Sequence, residues 1–495
     1  MLTFNWRLTK GIFEVSNISF NDDLIQFAKS NNFELPYDYY PALLSRDYLL
    51  NDFAKYRKSY AWAPDPEAWR IAQDVFHMEF GLRFLARPLT FDEAISKIEL
   101  SASPGFPWNA KYATKREVLE NELPLIRSIV ERVFEKGDVD YVFNGNRYTN
   151  VFWLTSPKSE IRPIEKMNHK DKSKRKTRTF MCGDLICHIV GFMLYKVQND
   201  RFLDLAHSDS WSAVGASPWY GGWDQTSRVL LRNATNPSAH EFNCYDASHM
   251  EASVSDAIQH AIYELRNQSI PDRCRVAADW FYLNITQSLI IDVDGYVVMK
   301  NGKNPSGSFN TLTDNTMALI LVFLYVIARA GNNVEQTLAA MRRIACKMLG
   351  DDSIFETCKE LKDLERFSAE LGFDLKPEAA PGPLSECSFL SSGFVFDSRF
   401  KMWIQKSNWS KVIANVYFNF KAQSWRLAFV KLCAIRQIFY AFEDKRTQVD
   451  YLINYILQNH ENDMRTENCP ELTYEAARAQ LMSNKNNAFL IFGAE

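Results

Sequence analysis

The sequence has no cysteine pattern that would staple a fold or hold a metal ion. Its nine cysteines include no Cys-x-x-Cys pair and no Cys/His group with the spacing of a zinc site. An odd, scattered set is typical of reduced thiols in a cytosolic protein rather than of a disulfide framework. Small disulfide-stapled secreted domains and zinc modules are therefore excluded.

We expect neither a leader peptide nor a membrane-spanning apolar run. The first residues, MLTFNWRLTK, contain no apolar stretch of the kind that a signal peptide needs. The longest apolar run, MALILVFLYVIA at residues 317–328, is too short to cross a bilayer and favours a buried helix. We expect no direct transmembrane segment, so any contact with a membrane would be made through partners.

Charge of one sign is not in excess, because 57 basic and 60 acidic residues leave a formal net charge of −3. Any binding of nucleic acid must then depend on a local basic patch. The strongest patch is KDKSKRKTR at residues 170–178, followed by the apolar TFMCG. A charge run is usually a solvated face, but this one also suits a strand that lines a channel for triphosphates and a template backbone.

Local signals predict a mixture of helices and strands that ends in helices. The length of 495 residues favours about three domains. Asp65 and Pro66 suit a helix cap and a first helical position, and Asp294-Gly295 between β-rich flanks predicts a hairpin. A long helix is predicted from Thr311 to Gly331, and from about residue 408 the apolar spacing predicts helices only.

The stretch CKMLGDDSIF at residues 346–355 places two adjacent acids, Asp351 and Asp352, at a glycine turn between two strands. Adjacent carboxylates repel, and in a confined site one would be protonated unless a cation lay between them. Mg²⁺ prefers oxygen ligands, and two such ions about 3.5–4 Å apart would activate an attacking hydroxyl and stabilise a leaving pyrophosphate. Taken alone, the tripeptide Gly350-Asp351-Asp352 favours an ordinary solvated turn.

Other polar groups in the sequence could complete such a site. The strand EFNCYDAS carries Glu241 and Asp246, and it lies about a hundred residues before the acidic turn. Ser306-Gly307 opens a flexible loop, and Thr311 and Asn315 are spaced to share one face of the helix that follows.

In this order the segments resemble the palm motifs of viral RNA-dependent RNA polymerases of positive-strand RNA viruses. The resemblance spans about residues 101–395 and leans, within the picornavirus-like supergroup, toward astrovirus-like and sobemovirus-like enzymes. It rests on SGSFNTLTDN, which matches the pattern SGxxxTxxxN, on LGDDS, on EFNCYDAS, on CSFLSSG as a hairpin that grips the primer, on SASPGFPW as a fingers loop, and on PKSE…KRKTRTF as the basic fingers motif.

The resemblance implies an α+β fold shaped like a right hand, with an antiparallel palm sheet and a small helical thumb. The implied fingers comprise residues 1–189 with an insertion at 250–296. The implied palm comprises residues 190–249 and 297–400, and the implied thumb residues 401–495.

The resemblance also assigns roles to individual residues. Two Mg²⁺ or Mn²⁺ ions would be held by Glu241, Asp351 and Asp352, although the place of Glu241 usually holds an aspartate in the family. Lys376 would be the general acid that protonates pyrophosphate, although a surface lysine before a proline is nearly as good an interpretation. The nucleotide and its ribose would be contacted by Asp246, Ser306, Gly307, Thr311, Asn315, Lys158 and Arg178, and the RNA by Ser103, Gly105, Pro107, Lys174 and Lys176.

The implied function is RNA-directed RNA synthesis for a viral genome, with NTPs, an RNA template and a nascent strand as ligands. A protein primer and other viral replication proteins would be partners, in the host cytoplasm at membrane-associated replication complexes. Two alternatives remain at this point. One is a reverse transcriptase, which shares the paired acids, and the other is an RNA-binding scaffold that has lost catalysis through Glu241.

Overall fold

The structure is a computed structural model, and it describes residues 2–9, 19–57, 62–206, 208–219, 221–232, 241–399, 401–419 and 424–460. Its helices are, in chain order, α1 (Asp22–Ser30), α2 (Arg46–Phe53), α3 (Pro66–Phe80), α4 (Phe91–Ile95), α5 (Lys115–Lys136), α6 (Ile164–Met167), α7 (Leu185–Leu203), α8 (Gly222–Leu231), α9 (Met250–Ser253), α10 (Asp256–Asn267), α11 (Asp272–Thr286), α12 (Thr311–Arg329), α13 (Val334–Arg343), α14 (Leu364–Glu370), α15 (Trp409–Tyr417), α16 (Trp425–Ile438) and α17 (Glu443–Asn459).

The strands are β1 (Leu2–Arg7), β2 (Ser19–Phe20), β3 (Tyr39–Pro41), β4 (Tyr141–Phe143), β5 (Asn146–Tyr148), β6 (Trp153–Pro157), β7 (Ile161–Pro163), β8 (Thr179–Cys182), β9 (Phe242–Ala247), β10 (Gln287–Ile291), β11 (Tyr296–Asn301), β12 (Cys346–Leu349), β13 (Asp352–Glu356), β14 (Leu375–Pro377), β15 (Ser388–Phe389), β16 (Ser392–Asp397), β17 (Met402–Ser407) and β18 (Phe418–Asn419).

Two sheets dominate the molecule. A five-stranded sheet has the order β1-β11-β10-β6-β8, and a four-stranded sheet has the order β12-β13-β9-β14. Every pairing in the four-stranded sheet is antiparallel, which confirms the antiparallel sheet predicted for the palm. A third sheet, β15-β16-β17, contains the hairpin predicted from CSFLSSG.

Helix α3 and the β10–β11 hairpin are present where the local sequence signals predicted them. The Asp65 side chain accepts a hydrogen bond from the Ala68 N–H and caps α3, whose first residue is Pro66. Strands β10 and β11 form the predicted hairpin around Gly295, whose φ of +87° lies in the left-handed region that glycine tolerates best. Short-range sequence features were therefore enough to predict these elements.

Helix α12 is the centre of the molecule's second core. Its residues from Met317 to Ile327 are fully buried against α3, α10 and the four-stranded sheet. Among the described residues it is the one helix long and apolar enough to cross a membrane, and 89% of its apolar window is buried inside the protein. Burial on all sides explains why the helix is apolar all round.

The two ends of the described chain share one core. Leu24 and Ala28 of α1 pack with apolar side chains of α15, α16 and α17. Strand β2 pairs with β18, so that Phe20 lies opposite Phe418. The start of the predicted fingers therefore packs on the predicted thumb, and the predicted domain boundaries stay predictions.

The prediction of helices only after about residue 408 needs one correction. Strand β18 interrupts the helices between α15 and α16, and it exists because it finds a partner in β2 nearly 400 residues earlier. The predicted thumb range, 401–495, also begins with the whole of β17, which belongs to the β15-β16-β17 sheet. Residues 461–495 lie outside the described residues.

Candidate active site

The acidic turn joins β12 and β13 at one end of the four-stranded sheet. Leu349 pairs with Asp352 across the turn, and Gly350 has a φ of +64°, which favours glycine. The Gly350 N–H donates to the Thr316 Oγ1 of α12 at 2.9 Å. The buried helix therefore fixes the turn that presents Asp351 and Asp352.

Asp246 lies directly beside these acids. On β9 it is the register partner of Asp352, and the Ala247 N–H donates to the Asp351 carbonyl at 3.0 Å. Directly opposed residues of an antiparallel pair have Cβ atoms about 4.5–5.5 Å apart. Since opposed side chains share a face of the sheet, the carboxylates of Asp246 and Asp352 lie side by side.

The three acids have pKa values above their usual range. Burial, followed by the charges of Asp351 and Glu378, raises the pKa of Asp352 to about 7. Burial and the charge of Asp351 raise the pKa of Asp246 to about 6. Burial also raises the pKa of Asp351, although that side chain stands at the solvent-exposed tip of the turn. The site crowds negative charge in a way that a cation would relieve.

The predicted place of Glu241 beside these acids is wrong. The Glu241 carbonyl accepts a hydrogen bond from the Thr357 N–H, at the far end of the β9–β13 ladder. Five residues of strand separate it from Asp246, a distance of about 17 Å. An odd spacing within a strand also puts two side chains on opposite faces of the sheet. Glu241 therefore cannot share ligands with Asp351 and Asp352.

A carboxylate close to these acids that the sequence did not lead us to predict is Glu251. It lies five residues after Asp246, but β9 ends at Ala247 and the chain turns back into α9, so this spacing brings the side chain toward the acids. The charge of Glu251 contributes to the raised pKa of Asp351, after burial. The sequence YDASHME does contain this acid, which lies five residues after Asp246, whereas Glu241 lies five residues before it.

Glu251 is part of a polar network. Its carboxylate pairs with the buried Lys55 at 2.5 Å, and Lys55 also lies 3.1 Å from Asp52. Burial alone would raise the pKa of Glu251, but Lys55 holds it below its usual value. The Glu251 carbonyl accepts from the Asn304 N–H at 2.8 Å, and the Asn304 Nδ2 donates to the Asn315 Oδ1 at 3.0 Å. Glu251 and Asn315 are thus linked through Asn304.

Asn315 accepts a hydrogen bond from Asn304, whereas Asp246, which the resemblance also assigned to the ribose, lies on β9 opposite Asp352. Thr311 donates through its Oγ1 to the Pro305 carbonyl at 2.7 Å, which closes the loop before α12. Thr311 and Asn315 lie on the first two turns of α12, the helix whose Thr316 contacts the acidic turn, and their role at the ribose stays a prediction.

The loop before α12 is packed on β8. A Cβ on Gly307 would lie 1.7 Å from the Met181 carbonyl oxygen, so only glycine allows this approach. The neighbouring Ser306 accepts through its Oγ from the Met181 N–H at 3.2 Å. Because β8 directly follows the basic run, this contact brings the loop and the basic patch together.

The basic patch is organised around one acid. Glu160 lies within 3.7–3.8 Å of three cations, namely Lys158, Arg162 and Arg178. Lys158 and Arg178 are each more than half exposed, and the Lys158 N–H donates to the Arg178 carbonyl at 2.8 Å. The charge of Arg178 acts on Asp246, Asp351 and Asp352 by lowering their pKa values against the larger effect of burial. Arg178 and the acids therefore face one cleft.

The other residues predicted to contact RNA differ in accessibility. Gly105 and Pro107 are buried, and a Cβ on Gly105 would lie 2.3 Å from the Gly183 carbonyl oxygen. Ser103 and Lys174 are exposed, while Lys176 is partly buried at 4.0 Å from Asp52. Of the SASPGFPW loop, Ser103 thus presents a polar side chain, and Gly105 and Pro107 hold the loop against the start of α7.

Lys376 lies on β14, opposite Asp246 and on the side of β9 away from β13. Its side chain is exposed and its Nζ lies 2.8 Å from Asp374. Two residues on, Glu378 adds to the negative charge felt by Asp246 and Asp352. The predicted general acid is therefore next to the acids in the sheet.

The donor set at the turn suits a hard divalent cation. Asp246, Asp351 and Asp352 offer only carboxylate oxygens, the ligands that Mg²⁺ and Mn²⁺ prefer. Among the described residues no group of three or more acidic, His or Cys side chains already surrounds one point that could hold a metal. A bound cation would have to draw these carboxylates together and relieve their repulsion.

A four-stranded antiparallel sheet with acids on the β12–β13 turn and the facing β9, flanked by a glycine loop and a basic strand, is the palm of a right-hand polymerase. The chain belongs to the viral RNA-dependent RNA polymerase family, whose model matches residues 34–457.

The relatives agree with this assignment. The genome polyprotein of Watermelon mosaic virus II (isolate USA) is 26% identical over 376 residues, which cover 71% of this chain and 33% of that protein. The genome polyprotein of Soybean mosaic virus (strain N) is 27% identical over 368 residues, which cover 71% of this chain and 11% of that protein. The chain thus spans a third or less of these curated relatives.

The fold has a solved counterpart. A structure described as the Sicinivirus 3Dpol RNA dependent RNA polymerase superimposes with a TM-score of 0.71 at 16% identity, covering 97% of this chain and 99% of the other. The predicted right-hand α+β fold is confirmed. The narrower expectation of an astrovirus-like or sobemovirus-like enzyme stays a prediction.

Proposed function

We propose that the chain is an RNA-directed RNA polymerase that replicates and transcribes a viral RNA genome by adding NTPs to an RNA 3′-hydroxyl. The observation that carries the proposal is the position of Asp246 opposite Asp352 and beside Asp351, with all three pKa values raised. Membership of the polymerase family gives the reaction class.

Asp246, Asp351 and Asp352 are the residues that would hold two Mg²⁺ or Mn²⁺ ions. When bound, the ions supply activation of the attacking hydroxyl and charge neutralisation of the leaving pyrophosphate. The chain's own part is to present three carboxylates from two adjacent strands on a turn fixed by Gly350 and Thr316. In this proposal the metal role predicted for Glu241 passes to Asp246.

Selection of the ribose is proposed to depend on Glu251 and Asn315 rather than on Asp246. Asn304 joins these two residues, because its N–H donates to the Glu251 backbone carbonyl and its Nδ2 donates to the Asn315 Oδ1. A polar site built around a hydroxyl rejects the analogue that lacks it, because buried polar groups are then left unpaired. This arrangement supports a preference for NTPs over dNTPs, with Ser306, Gly307 and Thr311 shaping the loop.

Binding of the triphosphate is proposed for Lys158 and Arg178. Both side chains are exposed, and the Arg178 charge acts on all three acids. A guanidinium can hold phosphate oxygens with two parallel hydrogen bonds. Lys376, the register partner of Asp246, is proposed to give a proton to the departing pyrophosphate, and Ser103, Lys174 and Lys176 are proposed to contact RNA.

The partners and the location follow from this activity. The template, the nascent strand and NTPs are the proposed ligands, and a protein primer and other viral replication proteins are proposed partners. Work at membrane-associated complexes in the host cytoplasm would then be arranged by those partners. The scaffold alternative rested on the glutamate at position 241, and it loses that basis because an aspartate, Asp246, occupies the place beside the turn.

The test is template-directed incorporation by the purified chain with an RNA template and primer, in Mg²⁺ or Mn²⁺, with NTPs and dNTPs compared. We expect NTP incorporation by the wild type, much weaker dNTP incorporation, and none by Asp351→Ala. An inactive wild type in both metals, full activity of Asp351→Ala, or a preference for dNTPs would overturn the proposal.

A further inference from the structure

A buried ion pair lies at the start of α12. Arg266 of α10 is fully buried, and Asp314 of α12 is 6% exposed. The Arg266 Nη2 and Nε both donate to the Asp314 Oδ1, at 2.6 and 2.9 Å. Replacing a buried ion pair with apolar residues of similar size is often harmless to stability, because both charges lose their hydration on burial. Stability alone therefore does not explain why the chain places two charges here.

Two further helices contact this pair. The second carboxylate oxygen of Asp314, Oδ2, accepts from the Tyr282 hydroxyl of α11 at 3.0 Å. The Arg266 Nη1 donates to the Gln198 Oε1 of α7 at 3.2 Å, and the Gln198 Nε2 donates to the Arg266 carbonyl at 2.8 Å. The Asp314 carboxylate is therefore held directly by α10 and α11, and by α7 through Arg266.

The same network holds the residue just before α12. Asn310 is fully buried, and its Oδ1 accepts from the Asn199 Nδ2 of α7 at 3.0 Å. The Asn310 Nδ2 lies 3.5 Å from the Tyr282 hydroxyl, which also donates to Asp314. The end of the loop and the first turn of the helix are thus tied to the same three helices.

These contacts set the rotation of α12 about its own axis. Asn310 and Asp314 are four residues apart, so they share one face of the helix. Successive residues of a helix are rotated by about 100°, so Thr311 and Asn315 share the neighbouring face. Asn315 lies on that face with its Oδ1 accepting from Asn304. The network therefore fixes the direction in which α12 presents Asn315.

We propose that Arg266, Asp314 and Tyr282 are positioning residues for selection of the ribose. They act through Asn315, which they hold in the orientation that meets the ribose 2′-hydroxyl, and this role rests on the proposed function of the chain. A site distinguishes a substrate with a hydroxyl from one without it only while its polar groups are placed to pair with that hydroxyl. A small misplacement of those groups weakens the discrimination.

The test is the double variant Arg266→Met/Asp314→Asn, which removes both charges and leaves neither unpaired. The kcat and KM for an NTP and for its 2′-deoxy analogue are measured by single-nucleotide incorporation on an RNA primer–template. We expect the NTP-over-dNTP ratio of kcat/KM to fall at least about tenfold, mainly through a higher KM for the NTP. A loss of folded protein alone would lower both activities equally and would leave this ratio unchanged.

A milder variant carries the test if the double variant does not fold, which its melting curve will show. Tyr282→Phe keeps the ring and removes only the hydroxyl that joins Asp314 to Asn310. We expect the NTP-over-dNTP ratio of Tyr282→Phe to fall at least about threefold, because Asp314 keeps its contact with Arg266.

The matched control is Arg275→Met/Asp272→Asn, the same two changes in an ion pair on α11 whose side chains are 54% and 96% exposed. Its ratio should change less than about twofold. A wild-type ratio in the folded double variant or in Tyr282→Phe would overturn the proposal, and so would an equal fall in the control. These results leave the wild type active on NTPs, whereas an inactive wild type would overturn the proposed function itself.

Discussion

At the residue scale, three carboxylates share one corner of the four-stranded sheet, and each has a raised pKa. The protein holds this unfavourable arrangement because the register of β9 against β13 opposes Asp246 and Asp352, and because α12 fixes the turn through Thr316. Clusters of groups whose pKa values are shifted by burial and mutual charge mark functional sites. The mutual repulsion of these carboxylates is the reason that they would bind a cation.

This cost predicts a pH-dependent effect of Asp352→Asn. The pKa of Asp352 is raised from 3.8 to about 7, so between these values the unfolded chain releases a proton that the folded chain keeps. Stability is therefore lost as pH rises from about 4 to 7, and the loss persists above pH 7. Without divalent ions, Asp352→Asn should be more stable than wild type at pH 8 by about 1–2 kcal/mol after allowance for solvent screening, with no gain near pH 4.

Urea unfolding in EDTA at several pH values checks this expectation, with Asp204→Asn, the same change at an exposed acid, as the control. Added Mg²⁺ should raise the melting temperature of the wild type more than that of Asp352→Asn. A variant less stable than wild type at pH 8 in EDTA would contradict the account.

The sequence allowed the acidic turn and the Ser306-Gly307 loop to be predicted, because each is a short pattern with its own geometry. The facing acid was misassigned, since Glu241 was judged by its spacing from Asp246 without regard to the two-residue period of a strand. Residues five apart on a strand lie on opposite faces of the sheet, so this period argues against Glu241 as a partner of Asp351 and Asp352. Lys55, by contrast, could not have been found, because tertiary packing brings its partner Glu251 to it from nearly 200 residues away.

At the scale of elements, strand β12 is tied to the segment before it by a buried lysine. The Lys347 Nζ donates to the carbonyls of Ala206, Ser208 and Ser210 at 2.7–2.9 Å, with the Ser212 carbonyl at 3.4 Å. Burial lowers the pKa of Lys347 to about 8, so the ammonium is still mostly charged at pH 7. This contact holds the strand that leads to Asp351 against the end of α7.

Lys347→Met should therefore destabilise the protein, because it leaves several carbonyls without a donor. We expect a loss of about 3 kcal/mol in urea unfolding at pH 7, and slower primer extension because the acidic turn loses support. Lys359→Met, the same change at an exposed lysine, should lie within about 0.5 kcal/mol of wild type. Equal stability of the two variants would show that the lysine has no such role.

Elements with strong local signals were predictable, and those that depend on distant partners were not. Helix α3 has a capping residue, the β10–β11 hairpin has a turn glycine, and α12 has a long apolar run. Each of these signals lies within the element that it predicts. Strand β18 has two residues and forms because β2 reaches it. Neither of the two short sequences, taken alone, predicts that they pair with each other.

At the scale of the whole molecule, the described chain closes on itself. α1 near the start and α15 to α17 near the end bury their apolar side chains in one core, and β2 pairs with β18. Helix α1 therefore depends on the C-terminal helices for the burial of its apolar side chains.

Leu24→Ala tests this coupling. Leu24 is fully buried, so the truncation should cost about 2–5 kcal/mol, and amide hydrogen exchange should speed up in α15, α16 and α17. Leu43→Ala is the control, because Leu43 is 38% exposed and should cost less than about 1 kcal/mol. Unchanged exchange in the three C-terminal helices of Leu24→Ala would show that the two ends fold independently.

The central claim is that Asp246, and not Glu241, completes the catalytic acids at the turn. The most direct measurement is the rate of single-nucleotide incorporation on an RNA primer–template by Asp246→Asn and Glu241→Gln, which each remove one charge from the same segment. We predict that Asp246→Asn lowers the rate more than about a hundredfold while Glu241→Gln stays within about threefold of wild type. An active Asp246→Asn together with an inactive Glu241→Gln would contradict the account.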